Sequence, residues 1–339
     1  MREGMLSASG TSTGSVDLSI VIVNWNVRDL LRRCLQSILV RAIPLAGASG
    51  AWQFGLGGQR AFSGEILVID SASTDDSAYM VRQEFPEVRL FASPTNLGYT
   101  GGNNLGMTKS RGRYVLLLNA DTELLGDALG TMVAYMNEGP DVGVVGPQLL
   151  WPDGNVQSSR RRFPSLCTAF VESTFLQKWF PGHPELRRYQ MLDRADGVTG
   201  EVDWVTGACM LVRRETFEQV GMLDDSYFMY SEELDWQKRI KAAGWRVVYL
   251  HSAKVVHHLG GSSGQVSVLT QERFGRSKVR YFRKHHGRLA GEMVRWWLLA
   301  NYAYEWAIEG TKWCVGHKRS LRAERMRGYG QVLRSGLRG

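Results

Sequence analysis

Short apolar runs that end in polar side chains are the feature that most constrains the fold. Residues 18–24, 65–70 and 114–118 are rich in Val, Ile and Leu, and the last run is followed at once by Asn119. Continuous apolar runs of this length are typical of strands buried on both faces, as in parallel sheets. Apolar residues at helical spacing lie between them, as over residues 28–40. The alternation predicts an α/β fold with a doubly wound, mostly parallel sheet and right-handed crossovers.

The remaining segments differ from this pattern in composition. Residues 42–63 are rich in Gly and Ala and lack periodicity, which predicts an inserted loop. Residues 204–212, 245–250 and 254–257 predict three further strands, and residues 214–220 predict a helix that Gly221 ends. Helical patterns over residues 271–286 and 293–308 predict two further helices, the first basic and the second rich in aromatic residues. We therefore expect three parts: a Gly/Ser/Thr-rich disordered tail (1–16), an α/β domain (17–265) and a C-terminal helical extension (266–339).

Length and cysteine content limit the classes of protein to which this chain can belong. A chain of 339 residues has ample material for one large core or two small ones. The four cysteines are scattered without a Cys-x-x-Cys pair, which argues against a zinc ribbon or a disulfide framework and fits a reducing cytosol. No apolar run reaches the roughly 18 residues needed to span a bilayer. The sequence therefore predicts a cytoplasmic protein.

Positive charge is concentrated near the C-terminus. Residues 271–339 carry 16 Lys and Arg against 5 Asp and Glu, a net charge of +11, whereas the rest of the chain carries 25 against 28. A basic helix followed by a Trp- and Tyr-rich helix is typical of an anchor on an anionic membrane surface, here the cytosolic face. Three alternatives remain: nucleic-acid binding, a solvated helical face, and packing against the rest of the chain or a second subunit. We expect no nucleic-acid partner.

Oxygen side chains follow the strand predicted over residues 114–118. Asn119, Asp121 and Glu123 lie within five positions of one another. Hard cations such as Mg²⁺ or Mn²⁺ favour carboxylate ligands shared with substrate phosphates, and open α/β sheets bind ligands at the carboxyl ends of their strands. An Asx turn that caps the next helix is the alternative. One of two histidines, His257 or His258, could complete a metal site with Asp121.

Two further polar clusters follow predicted strands. Asp70 could accept the imide N–H of a pyrimidine or bind a ribose, or could cap the next helix with Thr74. The glycine- and amide-rich segment 96–104 leads into a helix, where backbone N–H groups favour phosphate; a tight turn formed by its glycines is the alternative. It is not a Walker A loop, and the first strand carries no Gly-x-Gly-x-x-Gly, which excludes a typical dehydrogenase.

Three carboxylates in four residues open the helix predicted over residues 232–243. Glu232, Glu233 and Asp235 fall in its first turn, where the helix dipole favours negative charge. Stabilisation of the helix is therefore one interpretation. Because three acids exceed what a cap needs, general-base catalysis by one of them is the other.

Taken in order, these segments resemble glycosyltransferase family 2, and most of all its rhamnosyltransferase-like bacterial members. The resemblance extends over roughly residues 17–285, and each motif alone is weak while seven in order are specific. The motifs are Ser19-Ile-Val-Ile-Val-Asn-Trp-Asn26, Val68-Ile-Asp-Ser-Ala-Ser-Thr-Asp-Asp-Ser77, Asn96-Leu-Gly-Tyr-Thr-Gly-Gly-Asn-Asn104, Leu118-Asn-Ala-Asp-Thr-Glu123, Gly207-Ala-Cys-Met-Leu-Val-Arg-Arg214, Phe228-Met-Tyr-Ser-Glu-Glu-Leu-Asp235 and Val256-His-His-Leu-Gly-Gly-Ser262.

The resemblance implies a GT-A fold and inverting sugar transfer, with a role for each matching residue. Asp121 matches the second acid of the family's Asp-x-Asp metal motif, and Asn119 takes the place of the first. His257 matches the late metal-binding histidine. Glu233 matches the aspartate usually assigned as catalytic base; it is one methylene longer, so Glu232 could share the task, with Asp235 beside them.

The same resemblance implies where the donor binds. Asp70 would recognise the pyrimidine base. The rest of the candidate nucleotide-sugar site comprises Asn24, Asn26, Asp75, Asn96, Tyr99, Gly102, Asn103 and Asn119. The implied partners are Mg²⁺ or Mn²⁺, a dTDP- or UDP-linked sugar, and a glycan or polyprenyl-linked acceptor; an oligomer is compatible with the sequence.

Two other classes of protein share parts of this pattern. A sugar-phosphate nucleotidyltransferase would need a glycine-rich basic loop after the first strand, where Asn24-Trp-Asn-Val-Arg28 stands instead. A non-catalytic nucleotide-sugar binding module would not need Asp121, Glu233 and His257, and turnover of a nucleotide sugar separates it from an enzyme.

Overall fold

The computed structural model describes residues 16–45, 50–55, 61–258, 267–316 and 318–338. The tail predicted for residues 1–16 lies, up to residue 15, outside the described residues. The strands are β1 Leu18–Asn24, β2 Ile43–Pro44, β3 Trp52–Phe54, β4 Phe62–Ser71, β5 Arg89–Ser93, β6 Tyr114–Asn119, β7 Thr122–Leu125, β8 Val142–Leu150, β9 Val156–Gln157, β10 Arg160–Arg161, β11 Gly200–Glu201, β12 Trp204–Val205, β13 Cys209–Arg213 and β14 Arg246–His257. The helices are α1 Arg28–Leu39, α2 Ser77–Glu84, α3 Gly98–Lys109, α4 Ala128–Glu138, α5 Leu166–Val171, α6 Phe175–Trp179, α7 Pro184–Tyr189, α8 Arg214–Val220, α9 Glu232–Ala242, α10 Ser267–His286, α11 Arg288–Cys314 and α12 Arg319–Ser335.

The centre of the large sheet is the predicted set of parallel strands. Strand β1 lies between β4 and β6 and runs parallel to both. The register sets Asn24 opposite Asp70 on one side and Val23 opposite Asn119 on the other. The polar residues that end these runs therefore meet at one edge of the sheet.

The other half of the sheet mixes strand directions. Its order is β11-β14-β8-β13-β6, with β13 antiparallel to both neighbours and β14 parallel to β8. The short strand β7 pairs antiparallel with β14, which sets His257 opposite Thr122. This pairing places the end of β14 beside the residues that follow β6, although about 135 residues separate them in the chain.

Helices cover both faces of the sheet, as the doubly wound prediction requires. Side chains alternate along β1, so that Ile20 and Ile22 pack with α1, α2 and α4 whereas Val21 packs with α3, α8 and α9. All three side chains are fully buried. Burial on both faces explains why the strand lacks polar alternation.

Three local predictions are wrong. The segment 42–63 is not simply a loop: its described part forms β2 and β3, which extend the sheet beyond β4 and bury Trp52 and Phe54. Such short strands are invisible to a periodicity search. The strand predicted over 204–212 is broken into β12 and β13 at residues 206–208, and the two strands predicted over 245–257 form one strand with a register shift.

The C-terminal helices pack on the α/β domain. The predicted helices 271–286 and 293–308 are the longer α10 and α11, and α12 follows them. Residues of all three helices, among them Phe282, Leu298 and Val332, form one apolar cluster with Leu234 of α9 and Trp204 of β12. Within the described part of the chain, no helix is both long and apolar enough to cross a membrane.

Candidate active site

A cleft of about 270 Å³ opens at the carboxyl ends of β1, β4 and β6. The starts of α3 and α9, the loop between β12 and β13, the end of β14 and helix α10 complete its walls. Its lining includes seven of the residues singled out from the sequence: Asn96, Tyr99, Asn119, Asp121, Glu232, Glu233 and His257.

Asp121 and His257 form the candidate metal ligands. The Nε2 atom of His257 lies 3.4 Å from Oδ1 of Asp121, and both side chains are largely buried. The Nδ1 atom of His257 lies 2.7 Å from Oε1 of Gln157, so an Nδ1–H donates to that oxygen and the Nε2 lone pair faces the carboxylate. His258 instead contacts Glu123, at 2.7 Å. The geometry therefore selects His257 from the histidine pair.

These two ligands fit a divalent cation whose coordination shell is completed by the substrate. A carboxylate oxygen suits Mg²⁺ or Mn²⁺, and an imidazole nitrogen that presents its lone pair is a common ligand of first-row divalent metals. Nowhere in the described ranges do three or more His, Cys, Asp or Glu side chains form a metal-binding group. Two protein ligands suit an ion whose other positions are filled by phosphate oxygens and water, as is common for Mg²⁺.

The two glutamates lie at the start of α9, behind a strained turn. Tyr230 and Ser231 have φ angles of 73° and 64°, a conformation that non-glycine residues seldom adopt. Glu232 is 3% exposed, and Glu233 faces the cleft. Among the described residues, no hydrogen-bond donor contacts the Oε2 atom of either carboxylate. Strained backbone and unsatisfied buried acids both concentrate at functional sites.

Burial and mutual repulsion raise the pKa values of this pair. Burial is the larger cause for Glu232, and the negative charge of Glu233 adds to it, so its pKa lies well above the usual glutamate value. Burial also raises the pKa of Glu233, but backbone N–H groups, that of Gly207 among them, oppose the rise. The pair therefore binds a proton more firmly than ordinary glutamates do.

Asp235 lies outside the cleft lining and has other partners. Its carboxylate accepts hydrogen bonds from Arg239 Nε at 3.0 Å, Lys284 Nζ at 3.0 Å and His285 Nε2 at 2.7 Å. Burial alone would raise its pKa, but these hydrogen bonds and charges lower it. Asp235 thus ties α9 to α10, and the structure does not bring it to the glutamates' side of the cleft.

The N-terminus of α3 is not the phosphate loop that the sequence predicted. Helix α3 begins at Gly98, and the N–H groups of its first turn already have protein acceptors: Asn96 Oδ1 for Gly98, and the carbonyl oxygen of Phe228 for Tyr99 and Thr100. The approach to Phe228 is so close that a Cβ at Gly98 would lie 2.5 Å from this oxygen, which only glycine permits. These amides therefore fix the loop before α9.

Other predicted residues of this segment hold the walls of the cleft together. The Tyr99 hydroxyl donates to the carbonyl oxygen of Gly207 at 2.7 Å, and burial raises its pKa, with the charges of Glu233 and Glu232 adding to the rise. Asn103 donates to the carbonyl oxygen of Tyr99 within the helix. Gly102 packs on Val23, where a Cβ would lie 2.7 Å from a methyl carbon. Gly102 and Asn103 do not line the cleft.

The residues at the ends of β1 and β4 form a hydrogen-bonded layer beside the cleft. Asn24 Nδ2 donates to Asp70 Oδ1 at 2.8 Å, and Asp70 Oδ2 accepts from the N–H of Ser73. Asn26 accepts from the N–H of Thr74 at 2.7 Å.

Asp75 binds the starts of two helices. Its carboxylate accepts from the N–H groups of Arg28 and Ser77. Although burial opposes the effect, hydrogen bonds from Ser77 and Arg28 lower the pKa of Asp75. Asp75 and Asn26 line a separate shallow hollow, so the structure does not bring them into the main cleft.

Several cleft residues were not identified from the sequence. Trp25 follows β1, residues 206–208 connect β12 to β13, and Phe228 and Met229 precede the strained turn. Thr270 and Arg273 enter from α10. No signal in the sequence separates Arg273 from the other basic residues of its helix, because only the packing of α10 brings it to the cleft.

Comparisons with known proteins agree on the family and the fold. The family model described as glycosyl transferase family 2 matches residues 19–221. N-acetylglucosaminyl-diphospho-decaprenol L-rhamnosyltransferase from Mycobacterium tuberculosis is 31% identical over 280 residues, which cover 77% of this chain and 86% of the relative.

Two solved structures are similar at low sequence identity. The mannosyltransferase PcManGT from Pyrobaculum calidifontis, solved with GDP-Man and Mn²⁺, has a TM-score of 0.50 and 17% identity; the match covers 95% of this chain and 87% of that one. GalNAc-T7, solved with UDP, GalNAc and Mn²⁺, has a TM-score of 0.54 and 16% identity; the match covers 80% of this chain but only 48% of that one. These likenesses confirm the predicted GT-A fold. The chain belongs to glycosyl transferase family 2 and is a glycosyltransferase.

Proposed function

We propose that the protein moves rhamnose or a similar hexose from a dTDP- or UDP-linked donor to a glycan or polyprenyl-linked acceptor, with inversion at the anomeric carbon. The observation that carries this proposal is one cleft that holds both an unsatisfied glutamate pair and the Asp121–His257 ligand pair. The rhamnosyltransferase from M. tuberculosis, whose name includes a lipid-linked acceptor, supports the choice of sugar and acceptor.

Glu233 is the proposed general base. Its unsatisfied Oε2 takes the proton of the acceptor hydroxyl, while that oxygen attacks the anomeric carbon and the bond to the nucleoside diphosphate breaks. One displacement inverts the configuration, and the proposal needs no protein nucleophile. Burial and the negative charge of Glu233 raise the pKa of Glu232, which favours its protonated form beside an ionised base.

Asp121 Oδ1 and His257 Nε2 would hold Mg²⁺ or Mn²⁺. A divalent cation bound there neutralises charge on the departing diphosphate. Gln157 orients the imidazole, which is the usual role of a hydrogen bond behind a metal ligand. Asp70, held by Asn24 and Ser73, stays the proposed residue for the pyrimidine base.

A donor screen tests the proposal. The purified chain is mixed with dTDP-rhamnose and with UDP-linked hexoses, with and without a polyprenyl-diphosphate sugar, and release of nucleoside diphosphate is measured. We expect acceptor-dependent release that EDTA suppresses and Mg²⁺ or Mn²⁺ restores. The Asp121→Ala variant should lose turnover while keeping its unfolding midpoint.

Two results would contradict the proposal. Full activity after exhaustive chelation would show that the reaction needs no metal. Tight donor binding without turnover on any acceptor would favour a non-catalytic nucleotide-sugar binding module.

We also propose that the protein works on the cytosolic face of a membrane, where polyprenyl-linked acceptors are reached. The basic charge of residues 271–339 and the exposed side chains of Trp296 and Trp306 support this location. Vesicles containing phosphatidylglycerol should sediment the wild type more than a Trp296→Ala/Trp306→Ala variant. Equal sedimentation of both proteins would contradict the anchor.

A further inference from the structure

Helix α10 brings a positive charge into a cleft whose other charged groups are acidic. The described lining contains Asp121, Glu232 and Glu233 but, of the lysines and arginines, only Arg273. A nucleoside diphosphate carries at least two negative charges, and the α3 amides that the sequence predicted to receive them bind Phe228 and Asn96 instead. Beside the proposed divalent cation, Arg273 is therefore the positive group that the described lining offers to a diphosphate.

A cation–π contact holds Arg273, and its hydrogen-bond donors are unused among the described residues. Its guanidinium carbon lies 4.0 Å from the centre of the Phe228 ring, in a cation–π contact. Within the described residues, no hydrogen bond or ion pair engages its guanidinium. By contrast, Arg276 on the same helix forms an ion pair with Glu272, and Arg239 binds Asp235. Stacked arginines with unused donors are well suited to bidentate contact with phosphate.

The packing of α10 fixes this arrangement. Ser277 Oγ donates to the carbonyl oxygen of Met229 at 2.9 Å, and the ring of Phe274 packs edge-on against Tyr230. Phe228, which supports Arg273, is itself held through its carbonyl oxygen by the N–H groups of α3. The helix therefore sits against the loop that positions Glu232 and Glu233.

We propose that Arg273 binds the diphosphate of the nucleotide-sugar donor, so that the C-terminal extension completes the active site. This inference rests on the proposed function, because it assumes a nucleoside diphosphate in the cleft. It assigns to a residue of α10 the charge neutralisation that backbone amides do not provide.

Calorimetric titration tests the assignment without turnover. UDP and dTDP, and separately uridine and thymidine, are titrated into the full chain in Mg²⁺ and in EDTA. The Arg273→Gln variant should bind the diphosphates at least about tenfold more weakly, because a charge-assisted hydrogen bond is lost, and bind the nucleosides unchanged. Arg273→Lys should retain part of the affinity. Arg276→Gln, which removes an exposed charge from the same helix, should match the wild type.

The possible results separate this inference from the function on which it rests. If wild type and Arg273→Gln bind the diphosphates equally, Arg273 is not the phosphate ligand while the proposed function stands. If Arg273→Gln or Arg273→Lys weakens nucleosides and diphosphates alike, the role is structural and the inference fails. If the wild type binds no nucleotide under any condition, both proposals fail.

Discussion

The first turn of α9 carries carboxylates in two different environments, one that offers few hydrogen-bond donors within the described residues and one that supplies several. Glu232 and Glu233 face the cleft, each with a carboxylate oxygen that has no partner in the part of the chain that the structure describes, and their pKa values are raised. Asp235, two residues further on, is equally buried but accepts hydrogen bonds from Arg239, Lys284 and His285, and its pKa is lowered.

The difference shows that burial by itself does not decide the state of an acid. Carboxylates in both environments are desolvated, which raises every carboxyl pKa. At Asp235, hydrogen bonds from His285 and Lys284 and the charges of Lys284 and Arg239 reverse the effect. A helix turns by about 100° per residue, so Glu233 and Asp235, two residues apart, lie on nearly opposite sides of α9. Glu232 and Glu233 present carboxylate oxygens to the cleft, where we propose that the chemistry occurs. Asp235 instead binds α10 through Lys284 and His285.

Asp235→Asn should give the largest effect, on stability. Without the carboxylate charge, Lys284 keeps Asp224 as a counter-ion but loses the more buried one, and His285 loses its acceptor, which we expect to lower the free energy of unfolding by about 3 kcal/mol. Urea denaturation measures it. The control is Glu272→Gln, which breaks a more exposed ion pair with Arg276 and should cost no more than about 1 kcal/mol.

The pH dependence of that loss has a fixed sign. Because the folded pKa of Asp235 is lowered, its contribution is present above the ordinary aspartate pKa and is lost as pH falls through the folded value. The gap between wild type and Asp235→Asn should therefore close only in strong acid. A gap that closes as pH rises would contradict the ion-pair account.

Glu233→Gln should give the next largest effect, on the chemical step. The amide keeps the size of the side chain and cannot accept the acceptor's proton, so kcat should fall by at least about 10²-fold with the donor KM nearly unchanged. Steady-state kinetics measure both. Glu232→Gln is the matched variant; if it alone causes this loss, the base is Glu232.

The pH profile of kcat/KM should show the raised pKa of Glu233. The base must be ionised, so the rate should fall about tenfold per pH unit below a pKa that lies above the usual glutamate range. Glu233→Gln should lack this limb. A limb at the ordinary glutamate value would mean that the base is well solvated.

Glu232→Gln should give the smallest effect, a gain in stability. Because burial raises the folded pKa of Glu232, its favourable contribution is complete below the ordinary glutamate pKa and is lost as pH rises through the folded value. The glutamine has no charge to desolvate, so it should add about 1 kcal/mol above that pH and nothing in acid. Thermal unfolding across pH tests this, and a gain that is constant with pH would contradict it.

Much of the fold could be predicted from the sequence, because the local sequence patterns favour the same strands and helices that the fold contains. The β1 prediction over residues 18–24 is confirmed residue for residue, and α8 ends at Gly221, whose φ of 80° suits the end of a helix. Short strands such as β3 and β7 were missed because three or four residues carry too little periodicity to be recognised. Phosphate binding at the start of α3 was wrong because its N–H groups have a tertiary acceptor, Phe228.

The candidate site also has features that the sequence predicted and others that only the tertiary structure decided. The sequence placed Asp121 at a strand end and the glutamates at a helix start, since strand and helix boundaries are local features. It left open His257 or His258, and it grouped Asp235 with the catalytic acids. Those choices depend on contacts between residues 50 to 135 positions apart, namely β7 against β14 and α10 against α9. Local pattern fixes which side chains stand at an element's end, but only long-range packing determines which of them meet.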